Sequence, residues 1–195
     1  RGLVITGPIS VTVQGLSITM GDAAGLGGGP GGADVGGGVL VAGATAFFRD
    51  NRLVSNSCQT CLGGGLALVD SAATLLDNEV ASNHADLGGG ICIMGGSATL
   101  KANTVQDNTA AGSGGGLYVV GSDVLVTGNT VSGNSADGMG GGILLEASAA
   151  SLINNSISAN SLSGNWGGAY IDGGDVVIAA NKITGNKYSW NSGVG

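Results

Sequence analysis

Glu146 and Asp172 lie 26 residues apart. Two carboxylates about 5 Å from one another are what a retaining glycosidase uses, one as nucleophile and the other as acid and then base. If the chain repeats with that period, both side chains fall in one outward column on neighbouring copies. Tyr118 and Tyr170 would stand on the same face as stacking platforms for a sugar. No Lys or Arg stands beside the pair, and stacked acids arise on any repeat protein. No catalytic residue is therefore assigned, and Glu146 with Asp172 form the alternative reading. His84 is the one histidine of the chain. A general base needs an orienting partner, none is evident here, and His84 reads as a solvated side chain in a variable loop.

Three cysteines cannot build a disulfide framework, but Cys58 and Cys61 can close a local bridge in an oxidising compartment and leave Cys92 single. A zinc site would need two more ligands nearby. Residues 28–34, Gly-Gly-Pro-Gly-Gly-Ala-Asp, look superficially like a calcium-binding nonapeptide. The aspartate comes one place late and the motif does not recur, so the segment reads as a loop insertion. No metal site and no cofactor is expected.

What positions these side chains is a repeat. Gly-Gly-Gly recurs at 36, 63, 88, 114 and 140, with Trp166-Gly167-Gly168 in the same slot. Each triplet leads into alternating apolar residues, as in Leu117 and Val119 or Ile143 and Leu145. Alternation of period two is the mark of a strand. Each unit then carries apolar-x-x-Asn twice. The first asparagine column is Asn51, Asn78, Asn103, Asn129, Asn155 and Asn181, and the second is Asn56, Asn83, Asn108, Asn134, Asn160 and Asn186.

A unit of about 26 residues cannot bury its own apolar side, whereas stacked copies give every strand a parallel neighbour about 4.8 Å away. Recurrent glycines and β-branched residues disfavour a helical repeat of this length. The expected fold is all-β: a right-handed, single-stranded parallel β-helix of about seven coils with three short strands in each. Asparagine suits the corners because it tolerates left-handed backbone and its amide both donates and accepts. One domain covers 1–195, with 1–35 an irregular first coil carrying a Gly-rich loop, 36–191 six regular coils, and 192–195 the start of another. In the first coil Leu16 and Gly21 replace the asparagines.

The outward positions after the triplets are apolar, and the expected interface is Leu40, Ala67, Cys92, Met94, Tyr118, Val120, Leu144 and Tyr170. A sheet apolar on both faces is normally covered, so this face is expected to pack against another protomer, in self-association, or against a missing segment of the same protein. The face of the strand ending at the second asparagine is polar, with Thr104 and Gln106 or Thr130 and Ser132 outward, and expects water. Net charge is −7, only 10% of residues are charged, and six Lys and Arg are scattered. That gives no basic stripe for nucleic acid or anionic lipid, and no apolar run reaches bilayer length.

The pairing of Gly-Gly-(Gly or Ala)-aliphatic with apolar-x-x-Asn, over residues 36 to 195, resembles the repeats of polymorphic outer membrane proteins, surface adhesins and autotransporter passengers of the pectin-lyase-like superfamily. The aliphatic column Leu75, Leu100, Val126, Leu152 stands where those repeats often have Phe. The Asp-Asp and Gly-His-Gly clusters of pectin hydrolases are missing from the sequence. The resemblance implies an extracellular or cell-surface location and a role in adhesion or display. The expected chain is a structural or adhesive solenoid that self-associates, laterally through the apolar face or end to end into a filament through uncapped coils, with a host or surface glycan or protein as a further partner. A polysaccharide-active enzyme is the alternative.

Overall fold

The structure, a computed structural model, describes residues 1–163 and 167–188. One regular coil runs through the strands Leu117–Val120, Asp123–Thr127, Thr130–Ser132 and Ser135–Ala136. Each strand pairs in parallel with the same segment of the coils on either side. Leu117 sits between Ile91 and Ile143, and Val131 between Val105 and Ile157. Among the described residues seven strands from Leu3–Thr6 to Ala169–Asp172 form the first stack, one for each of seven coils. The first two strands of each coil share a 12-stranded sheet, because Leu66–Leu76 and Ile91–Lys101 run through the corner without a break.

A fourth strand of two residues follows the second asparagine, where the repeat suggests only three strands. Its inward column is Ala85, Ala110, Ala136 and Leu162, all buried, with Cys58 in the same place one coil earlier. The sequence signal is Asn-x-Ala at Asn83, Asn108 and Asn134. Alanine is small enough to turn the chain back beside the triplet, and a single apolar position shows no alternation. The inward residues of the first three strands merge into one continuous core that includes Phe48, Leu75, Leu100, Val126 and Leu152. Burying each such side chain contributes about 1.5–3 kcal/mol.

Both asparagine columns are buried ladders. Asn103 Oδ1 accepts from the backbone N–H and the Nδ2 of Asn78 at 2.9 and 3.0 Å. Its own Nδ2 donates to Asn129 Oδ1 at 3.0 Å and to the Leu75 carbonyl at 2.9 Å. The second column repeats the pattern through Asn83, Asn108 and Asn134. The left-handed residue is not the asparagine but the one before it: Asp50, Asp77, Ala102 and Asn154 in the first column, Ser55, Ser82, Asp107 and Ala159 in the second. The asparagine is selected for its amide, and the corner's backbone strain falls on its neighbour.

The triplet at 114 shows why glycine recurs. Gly114 has φ +67°, and a Cβ there would meet Tyr118 Cβ at 2.7 Å. A Cβ on Gly115 would strike the carbonyl oxygens of Ser135 and Gly141, and one on Gly116 would lie 2.9 Å from Asn134 Nδ2. The triplet therefore crosses directly over the second ladder.

In the first coil, Leu3–Thr6, Ser10–Gln14 and Ser17–Thr19 pair in register with the second coil. The irregular part is confined to the loop at 22–35. Leu16 and Gly21 supply backbone N–H groups to Asn51 and Asn56 Oδ1, so each ladder begins on a main-chain donor. Trp166 and Asn191-Ser192-Gly193, assigned from the repeat to the triplet slot and to a further coil, lie outside the described residues.

Candidate functional site

The outward positions of the triplet sheet are not an exposed patch. Leu40, Ala67, Cys92 and Leu144 are 2%, 0%, 0% and 5% exposed, and Met94, Tyr118, Val120 and Tyr170 are half-buried. Of the expected interface residues, these last four keep accessible surface. Leu40, Ala67 and Val69 form a second apolar cluster with Val35, and Leu62 and Met94 pack on it. The cover comes from the chain itself, since the segment before each triplet folds back over the sheet. Val35, Leu62 and Leu87 are joined by isolated parallel bridges. Alternation reports which way a side chain points and says nothing of what a loop lays on top of it.

Beside this face lies a hollow of about 130 Å³ lined, among the described residues, by Leu87, Ser113, Tyr118, Met139, Leu144, Glu146, Tyr170 and Asp172. The repeat spacing correctly brings Glu146 and Asp172 opposite one another on adjacent strands. Tyr118 Oη donates to Glu146 Oε2 at 2.8 Å. Burial, and then the Glu146 carboxylate, push the Tyr118 phenol up from its ordinary value, so it stays a neutral donor. Ligand sites for drug-sized molecules run to about 300–1,000 Å³, so this hollow admits one small group and not a saccharide chain.

Sequence reasoning missed a larger concavity. A groove of about 660 Å³ runs along the outside of the second strand stack. One of its columns is Thr12, Phe47, Thr74, Thr99, Leu125 and Ser151, a residue from each of six successive coils. Ser10, Thr45, Ser97 and Asp123 line its other side. The signal was present as recurrent Ser and Thr two places apart. Nothing in the spacing marks this sheet as concave.

The remaining candidates are structural. His84 lies not in a variable loop but in the fourth strand stack, paired with Thr109 and bridged to Ser57. Cys58 and Cys61 form a disulfide packed against Ala23 and Ala85. Cys92 is a buried free thiol, and burial pushes its ionisation well above the usual range. Asp34, the aspartate of the calcium-like segment, accepts backbone N–H bonds from Gly25 and Gly27 at 2.7 and 2.6 Å. Arg1 donates to the carbonyls of Gly27 and Val35 on the same loop. Among the described residues no three His, Cys, Asp or Glu side chains converge as a metal site would require.

A model of the right-handed β-helix region matches residues 37–195. The chain belongs to the right-handed β-helix family. No curated protein and no solved structure matches it. As a right-handed β-helix, the chain has a scaffold that sets coil spacing and sheet order, while its chemistry depends on which side chains point outward. The family match covers the fold in general and does not single out the repeats of polymorphic outer membrane proteins.

Proposed function

We propose that the chain is a non-enzymatic structural and adhesive solenoid, extracellular or on a cell surface, as the repeats it resembles imply. The observation that carries this reading is the open groove that crosses six coils. At the spacing of parallel strands it extends about 25 Å along the axis, a shape suited to laying down an extended polymer. Hydroxyls line it together with the outward apolar side chains of Phe47, Ala72 and Leu125, and its lining carries one carboxylate, Asp123, rather than an acid and base pair.

The alternative, a polysaccharide-active enzyme, uses Glu146 and Asp172. Their opposite register favours it, and the 130 Å³ hollow around them counts against it. One assay separates the two. The protein is passed over a panel of immobilised extracellular polysaccharides, mucin and collagen, and the eluates are examined for new reducing or unsaturated ends. The adhesive reading expects retention without cleavage, reduced at least tenfold in Thr74→Arg and Thr99→Arg, which block the groove. New ends that vanish in Glu146→Gln would overturn it, as would retention indifferent to both arginine variants.

A further inference from the structure

We propose that the hollow between Tyr118, Glu146, Tyr170 and Asp172 binds one organic cation, an ammonium group carried on a short alkyl stem. The inference concerns binding alone and stands independently of the adhesive reading. Its first support is charge. Glu146 and Asp172 are direct cross-strand neighbours, and like charges in that position repel. Elsewhere in the solenoid stacked acids have a cation beside them: Glu79 lies opposite Arg52, with N and O 2.6 Å apart, and Asp50, in one column with Asp77, pairs with Arg49 at 3.2 Å. No basic side chain lines the hollow. The unbalanced pair is what a positively charged guest would neutralise.

The second support is the wall. Leu87, Met139 and Leu144 give the hollow an apolar side, which bare metal ions do not need and alkyl substituents do. Tyr118 and Tyr170 bring two phenol rings to the same space, and aromatic rings attract ammonium groups through their quadrupole. The Tyr118 hydroxyl holds the Glu146 carboxylate in place, which lowers the ordering needed on binding. The third support is size. A hollow of about 130 Å³ has the volume of roughly four waters, the scale of one small alkylammonium group.

The test is calorimetric titration with n-butylammonium, tetramethylammonium, uncharged 3,3-dimethylbutanol and calcium chloride, alongside thermal melting. Both cations are expected to bind and the alcohol not to. A preference for n-butylammonium marks a lysine-like guest and a preference for tetramethylammonium a choline-like one. Glu146→Gln and Asp172→Asn should each weaken binding at least tenfold while melting no lower than the parent, because a like-charge contact is relieved. Met139→Lys, which offers the site its own ammonium, should abolish binding and keeps the test decisive if either neutralised variant folds poorly. Equal binding of the alcohol, affinity unchanged in the variants, or calcium bound in preference to the amines would overturn the proposal.

Discussion

Asn103 makes five hydrogen bonds through its side chain and backbone N–H to Asn78, Asn129 and Leu75, all of them buried. Replacing it by Ala strands the backbone N–H of Asn78, at about 1–3 kcal/mol for the buried group, and removes one acceptor from its Nδ2, which keeps the Phe48 carbonyl. Asn103→Ala should thus lose about 3 kcal/mol or more in denaturant unfolding, and Asn181→Ala, at a part-buried rung, distinctly less. Equal losses would contradict the ladder. The asparagines were legible because the rung demands an amide held close to the backbone, and glutamine, which carries the same amide, has a longer stem. The left-handed residue before each was not, since Asp, Ser, Ala and Asn all fill that place. Ala102 and Ala159, with φ +54° and +55°, lack any side-chain bond to compensate. Substitution of either by Gly should raise stability by about 1 kcal/mol, and a fall in melting temperature would show the backbone to be unstrained. The buried Cys92 thiol should resist alkylation at pH 8 until the chain unfolds; labelling at the rate of a free thiol would place it at the surface.

At the scale of elements, inward columns were readable and cover was not. Alternation through Leu117, Val119 and Ile143 marked the strands correctly, and the same alternation marked Leu40, Ala67 and Leu144 as outward, which they are. The burial of Leu40 and Ala67 depends on Val35 and Leu62, which precede the triplets in segments of irregular length. The loop at 22–35 is itself organised around Asp34, whose carboxyl is held below its ordinary value first by the N–H of Gly27 and then by that of Gly25. A depressed acid contributes stability above its unfolded value of about 3.9 and loses it as pH falls through the lower folded value. The amide shifts of Gly25 and Gly27 should therefore titrate with a midpoint below the usual aspartate range. A midpoint at or above that range would remove Asp34 from the centre of the loop.

For the whole molecule, the stack matters more than any single face. Ile178 and Ile183 belong to inward columns, yet in the last described coils they are 53% and 50% exposed, whereas Leu152 and Ile157 one coil earlier are 1% and 0% exposed. An inward column is dry only where a further coil stacks on it. The central claim is that two buried asparagine ladders hold the coils in register and leave the outward faces free for binding. Native-state amide exchange tests it directly. The backbone N–H groups of Asn78, Asn83, Asn103, Asn108, Asn129 and Asn134 should be among the slowest in the chain, exchanging only when the stack opens. Exchange of these six as fast as the exposed corner residues beside them would contradict the account.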